Sequence, residues 1–174
     1  FLDMKDLNIG IVGAGIGGEA AALALLKEGH RVTVLEQAPQ LGEVGAGLSL
    51  SPTAIHGLNH IGLHETLETK AYKPEDQCVR HFKDGQPLAW VNRGQRLIEQ
   101  YGERYYLIHR ADLHDALSAG VRAQPRGSIL LSKRCRELQQ TRTDVQVSFD
   151  DGTSYRFDLL IGADGSRSAV RSQL

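Results

Sequence analysis

Six residues, Gly13-Ala14-Gly15-Ile16-Gly17-Gly18, constrain this 174-residue chain more than any other stretch. They fit the spacing GxGxxG at Gly13, Gly15 and Gly18, and their neighbours decide what that spacing means. Before them, Leu7–Val12 (LNIGIV) is apolar on both faces, as a strand inside a parallel sheet must be. After them, Glu19–Glu28 is rich in Ala and Leu and reads as a helix closed by Gly29; Arg31–Leu35 (RVTVL) is a second strand. Strand, glycine turn, helix and strand make a βαβ unit with a right-handed crossover. Each glycine then has its own reason. Gly13 permits the tight turn, Gly15 lets a diphosphate approach the backbone, and Gly18, with the small Ala22 beyond it, lets helix pack on strand. The amino terminus of the helix that follows offers free N–H groups and a partial positive charge to an anion. Glu36 ends the second strand at about the distance where an acid accepts hydrogen bonds from an adenosine ribose and disfavours a 2′-phosphate. These residues predict a dinucleotide site and do not by themselves separate NAD from FAD.

The rest of the chain extends this frame. The stretch LGEVGAGLSLSP (Leu41–Pro52) reads as a glycine-rich loop, after which Ser51 caps a helix with Pro52 at its first position. Ala54, Ile55, Leu58 and Ile61 make the apolar face of that helix, and Gly62 closes it. Between residues 72 and 108 the character changes: Val79–Phe82, Asp84-Gly85 and Leu88–Val91 suggest a hairpin on a more exposed sheet, with Trp90 as a packing residue. Arg110 leads into a helix with Leu113, Leu117 and Val121 at successive fours, followed by a buried strand at Ile129–Leu131. Cys135–Gln140, Val145–Phe149 and Ser154–Phe157 form an antiparallel meander turning at Asp151-Gly152. Leu159–Gly162 is a further buried strand, and Gly162–Gly165 turns from it toward a new helix.

The fold class is therefore α/β, a Rossmann-like fold with a parallel sheet, an antiparallel β-meander and part of a second sheet. Residues 5–72 and 109–174 read as the dinucleotide-binding portion, and 73–108 as the start of a substrate-side sheet.

Twenty basic against 21 acidic residues leave a net charge of -1, which gathers neither nucleic acid nor anionic lipid. Apolar runs are strand-sized, short of the roughly 20 residues that span a bilayer. Two cysteines, Cys78 and Cys135, stand far apart in no CxxC arrangement, which favours a reduced, cytoplasmic chain although a bridge between them stays open. MKDLNIGIVGAG is a natural beginning at Met4, which sets Phe1–Asp3 apart as extraneous.

Four segments occur in order: NIGIVGAGIGGEAAALALLKEGHRVTVLEQAP, GEVGAGLSLSPTAIHGLNHIGL, YLIHRADLHDAL and DLLIGADGSRSAVR. Together they resemble the amino-terminal half of a class A flavoprotein monooxygenase, the family of p-hydroxybenzoate hydroxylase, in its salicylate and hydroxynicotinate hydroxylase branch. The last segment carries the most specific fingerprint, Asp164, Gly165, Ser168 and Arg171. The resemblance implies that Gly13, Gly15, Gly17, Gly18 and Glu36 hold the ADP part of FAD, with Gln37 beside the adenosine. It implies that Gly45-Ala46-Gly47 passes the flavin ring, that Arg110 reaches the ribityl-pyrophosphate region, and that the backbone at Cys135 touches adenine. Asp164 would serve the pyrophosphate side. The implied reaction uses NAD(P)H and oxygen to hydroxylate a small aromatic acid. In that family the chain runs on past the Asp164 segment, so this chain alone is expected to be inactive as a hydroxylase, with exposed apolar surface open to self-association.

Other readings stand beside these. An NAD-dependent dehydrogenase domain needs only Gly13–Gly18 and Glu36, and a non-catalytic nucleotide-binding module is a third reading. Arg110 could serve Asp112 alone, and Asp164 could be a turn residue. Ser49 stands where hydroxynicotinate hydroxylases carry a histidine, which counts against that substrate, and no catalytic residue is assigned. His56 and His60 read as a solvated helix face, and His109 and His114 lack a nearby nucleophile, so no metal or triad is expected.

Overall fold

The apolar run before the glycine turn becomes the first strand of a computed structural model that describes residues 6–42 and 46–174. In chain order its elements begin β1 (Asn8–Val12), α1 (Ile16–Lys27), β2 (Arg31–Leu35), β3 (Gly47–Leu50), α2 (Pro52–His60) and α3 (His64–Lys70). β4 (Asp76–Arg80), β5 (Pro87–Asn92), α4 (Gln95–Tyr101), β6 (Tyr106–His109) and α5 (Arg110–Ala123) follow. The chain continues as β7 (Gly127–Leu130), β8 (Cys135–Gln140), β9 (Val145–Phe149), β10 (Ser154–Phe157) and β11 (Leu159–Gly162). Two compact units result, residues 6–42 with 114–174, and residues 46–113.

The first unit holds a parallel sheet in the order β11-β1-β2-β7. Register runs from Ile9 opposite Leu159 on one side of β1 and from Asn8 opposite Arg31 on the other. The carboxyl end of β1 therefore lies between those of β2 and β11, which brings Gly13, Glu36 and Asp164 to one edge. β7 and β11 are the outer strands, β7 half-buried throughout and β11 exposed at Leu159 and Gly162, so neither apolar run is covered as expected. The meander β8-β9-β10 forms as expected. Its Val147, Phe149 and Phe157 are buried in one cluster with Val12, Leu35 and Val170. A side chain at Gly10 would meet the Phe157 ring at 2.6 Å, so only a glycine in β1 admits this layer.

In the second unit, β3 pairs antiparallel with β6, Gly47 facing His109 and Leu50 facing Tyr106. The sequence reading takes Gly47–Leu50 for loop and assigns Tyr106–His109 no element, because a four-residue strand whose partner is distant in the chain carries little local periodicity. Ser51 caps α2 by accepting a hydrogen bond from the Ala54 N–H at 3.4 Å, and Gly62 closes it at φ 95°. β4 and β5 form the hairpin, Cys78 opposite Trp90. Trp90 is 64% and Phe82 86% exposed, so the tryptophan does not pack into a core as expected. α4 buries none of its residues, hence has no apolar stripe to announce it. In α5, Leu113, Leu117 and Val121 are all buried, as their spacing by four requires.

Candidate functional site

In the first unit a cavity of about 540 Å³ opens against Gly13 and Gly15 of the turn, Glu36 and Gln37 after β2, Cys135 at the start of β8, and Asp164 after β11. Gly13 has φ 107°, and its N–H donates to the Leu35 carbonyl at 2.8 Å. A Cβ there would lie 2.4 Å from the Ala163 carbonyl oxygen, and one at Gly18 2.0 Å from the Gly13 oxygen. A Cβ at Gly15, or at the exposed Gly17, would meet no atom within 4 Å. The turn is thus packed tight on the sheet side and open at Gly15, where α1 begins. A helix start leaves its first N–H groups without intrahelical partners, and those groups suit an anion.

Glu36 is half-buried and tied into the turn. One carboxylate oxygen accepts from the Ala14 N–H at 2.8 Å and the other from the Ala38 N–H at 2.8 Å. A carboxylate offers about four lone-pair sites, so capacity remains for hydroxyl donors. Gln37, beside it, is exposed.

Asp164 closes its own loop. It accepts from the Ser168 hydroxyl at 2.6 Å and from the N–H groups of Ala169 and Val170 at 2.6 and 3.2 Å. Partial burial works to raise its pKa, but the Ser168, Val170 and Ala169 hydrogen bonds together outweigh it, and the net shift is downward. Ser168 in turn accepts from the Arg171 N–H at 2.9 Å, and the Arg171 guanidinium donates to the Ser166 carbonyl at 2.6 Å. The fingerprint residues hold one another, and Asp164 is both a turn residue and part of the cavity wall. No new α-helix follows; a single 3-10 turn, Arg171–Gln173, takes its place.

The Cys135 thiol is pushed up in pKa by burial first, then by Asp164 and Asp150, and stays protonated. Both cysteines are free. Lys133, Arg134 and Arg167 also line the cavity, and the sequence reading does not single them out. The basic run Lys133-Arg134 beside Cys135 was the available signal. Lys133 is committed to Asp151 at 2.5 Å and to the Thr153 hydroxyl at 2.9 Å, and Arg134 lies 3.9 Å from Asp150.

Two expected residues belong to the second unit. Gly47 opens β3, and Arg110 opens α5 with its N–H donating to the Ala46 carbonyl at 2.8 Å. Asp112 pairs with Lys70 at 3.4 Å. Gly45, expected near the flavin ring, lies outside the described residues. Among the described residues no three His, Cys, Asp or Glu side chains group for a metal ion, and His56 Nε2 lies 2.9 Å from the Tyr101 carbonyl oxygen. His114 shares Glu19 with Ser118, one helical turn on. The Ser118 hydroxyl bonds Glu19 at 2.6 Å rather than the imidazole, so the trio lacks the nucleophile–base contact of a triad.

Comparison with known proteins bears on this geometry. The chain is 37% identical over 168 residues to the 3-hydroxybenzoate 6-hydroxylase of Polaromonas naphthalenivorans, covering 97% of this chain and 42% of that one. It is 40% identical over 172 residues to a salicylate hydroxylase of Pseudomonas putida, covering 97% and 38%. The crystal structure of Klebsiella pneumoniae HpxO complexed with FAD and uric acid superimposes with a TM-score of 0.83 at 31% identity, over 94% of this chain and 41% of that one. This chain thus spans about two-fifths of the length of these relatives. The FAD binding domain family matches residues 6–174, and the chain belongs to that family.

Proposed function

We propose that this chain binds FAD at the cavity of its first unit and is the flavin-binding part of an NAD(P)H-dependent monooxygenase acting on a small aromatic acid. The observation that carries the reading is the glycine turn, closed on the sheet at Gly13 and Gly18 yet empty of protein atoms beside Gly15. That is the shape a pyrophosphate needs against backbone, and it fits the ADP portion of FAD. Gly13, Gly15, Gly17 and Gly18 would give the pyrophosphate room and N–H donors. Glu36 would accept from ribose hydroxyls while its present bonds fix the turn. Gln37 and the Cys135 backbone would flank the adenosine, and Asp164 the pyrophosphate. Arg134 and Arg167 add the positive charge that phosphate oxygens favour. Gly47 and Arg110 rest on the resemblance alone.

FAD, when bound, supplies the electron and oxygen chemistry; the chain supplies binding and orientation. The aromatic substrate class comes from the hydroxybenzoate and salicylate hydroxylases to which the chain is similar. Residues 73–108 serve in this reading as the start of the substrate-side sheet, where exposed Leu88 and Trp90 support self-association or a covering partner. Free cysteines support a cytoplasmic chain.

The test is the visible absorption spectrum of purified protein incubated with FAD and desalted, paired with calorimetric competition between FAD and NAD. Retained flavin absorbance, and FAD that NAD does not displace, are expected. A chain that binds NAD but takes up no FAD overturns the reading in favour of a dehydrogenase domain.

A further inference from the structure

Three polar side chains are buried between α1 and α5 within the first unit: Glu19 at 0%, His114 at 3% and Ser118 at 4% exposure. Two of their contacts are short. His114 Nε2 lies 2.6 Å from the carbonyl oxygen of Ala14, in the middle of the glycine turn, and the Ser118 hydroxyl donates to Glu19 Oε1 at 2.6 Å. A carbonyl only accepts, so Nε2 carries the proton in that contact. Glu19 Oε2 stands 3.5 Å from the same nitrogen and has no hydrogen-bond partner among the described residues. A carboxyl oxygen wholly inside the protein and unpartnered is costly as an anion and comfortable only when protonated or matched by charge.

Its position makes that cost sensitive to a ligand. Glu19 lies in the first turn of α1, whose start faces the cavity at Gly15. An anion there and a carboxylate at Glu19 would repel one another across a medium that screens poorly. Burial already raises the Glu19 pKa; the Ser118 bond and the electrostatic influence of His114 and Arg122 work against that, and Glu36 adds to it. Those are the charged groups that α5 and the end of β2 direct at this carboxyl.

We propose that Glu19, Ser118 and His114 form a buried positioning cluster that couples capture of an anionic diphosphate at the Gly13–Gly15 turn to uptake of one proton from solvent onto Glu19. His114 holds the Ala14 carbonyl, Ser118 orients the carboxyl, and Glu19 Oε2 takes the proton as the ligand arrives. The proton leaves hydronium or a buffer acid, whose conjugate base stays in solvent, and no other bond forms or breaks. The inference rests on the reading of this turn as the FAD pyrophosphate site.

The experiment is calorimetric titration of the full chain with FAD, in buffers of different protonation enthalpy, across a pH series. The phosphates of FAD are diesters and keep their charge near neutrality, so protons taken up go to the protein. The parent chain is expected to take up a substantial fraction of a proton, and its affinity to fall by up to about tenfold per pH unit as that proton is lost. Glu19→Gln keeps the acceptor for Ser118, and should bind FAD with no proton uptake and a flat pH profile. Ser118→Ala removes a donor that favours the carboxylate and should move the profile to higher pH. A merely structural role would change affinity or stability without changing the proton count. FAD binding without proton uptake in the parent, or uptake that persists in Glu19→Gln, overturns this inference and leaves the cofactor reading intact. A parent chain that binds no FAD overturns both.

Discussion

A methyl group at Gly18 would lie 2.0 Å from the Gly13 carbonyl oxygen, whereas one at Gly15 would meet nothing within 4 Å. Two glycines of one motif therefore have different physical reasons to be glycine, and substitution separates them. Gly15 has an extended backbone (φ -74°, ψ 174°) that any residue adopts. Gly15→Val is expected to abolish FAD binding while costing the fold no more than about 1 kcal/mol, the scale of a poorer helix cap. Gly18→Ala must push α1 off the turn and should cost about 1–3 kcal/mol, as overpacking does. Thermal melts with flavin fluorescence titrations check both; a Gly15→Val chain that binds FAD like its parent refutes the assignment. The motif's spacing and the role of each glycine were legible in the sequence; what needed the structure was that the Ala163 carbonyl, arriving from β11, is what closes the turn against Gly13.

At the scale of elements, the turn after β11 shows side chains competing with a helix. The Asp164 carboxylate takes the N–H groups of Ala169 and Val170, and the Ser168 hydroxyl takes that of Arg171. Local side-chain bonds of this kind offer the backbone an alternative to α-helix, which is why the expected helix does not form. Asp164→Asn should destabilise the first unit by about 1–2 kcal/mol at neutral pH, since bonds to a charged acceptor are the stronger ones. The sign with pH follows from the lowered pKa of Asp164. A carboxyl that is more acidic folded than unfolded stabilises above its unfolded pKa and loses that contribution as pH falls through the folded value. The gap between parent and variant in urea melts should therefore close below about pH 4, and a gap unchanged at acid pH would contradict the account. Elsewhere, strands of regular alternation or continuous apolarity and helices with an apolar stripe were readable. β3, β6, α3 and α4 were not, being short and either paired at long range or with at most one buried residue.

For the whole molecule, the two-fifths coverage of its relatives sets the expectation of activity. Given FAD and NAD(P)H, these 174 residues by themselves should consume oxygen slowly, release hydrogen peroxide and form no hydroxylated product, with no stimulation by salicylate-like acids. Excluding water is what prevents such side reactions, and the parts of the relatives that this chain does not span are absent from the assay. Oxygen uptake with product analysis checks this; hydroxylated product in step with NAD(P)H would overturn it. The sequence by itself determined the βαβ unit, the glycine turn, Glu36 at its strand end, the meander and the Asp164 fingerprint. The first four follow from periodicity and turn chemistry within a few residues, where covalent geometry limits the choices; the Asp164 fingerprint was legible only through its resemblance to a family. Only the tertiary structure decided that Glu36 buttresses Ala14, that Trp90 faces solvent, and that Ser118 meets Glu19 across 99 positions of chain. Such contacts are chosen by how whole elements pack, and residues so far apart carry no local pattern that would announce their meeting.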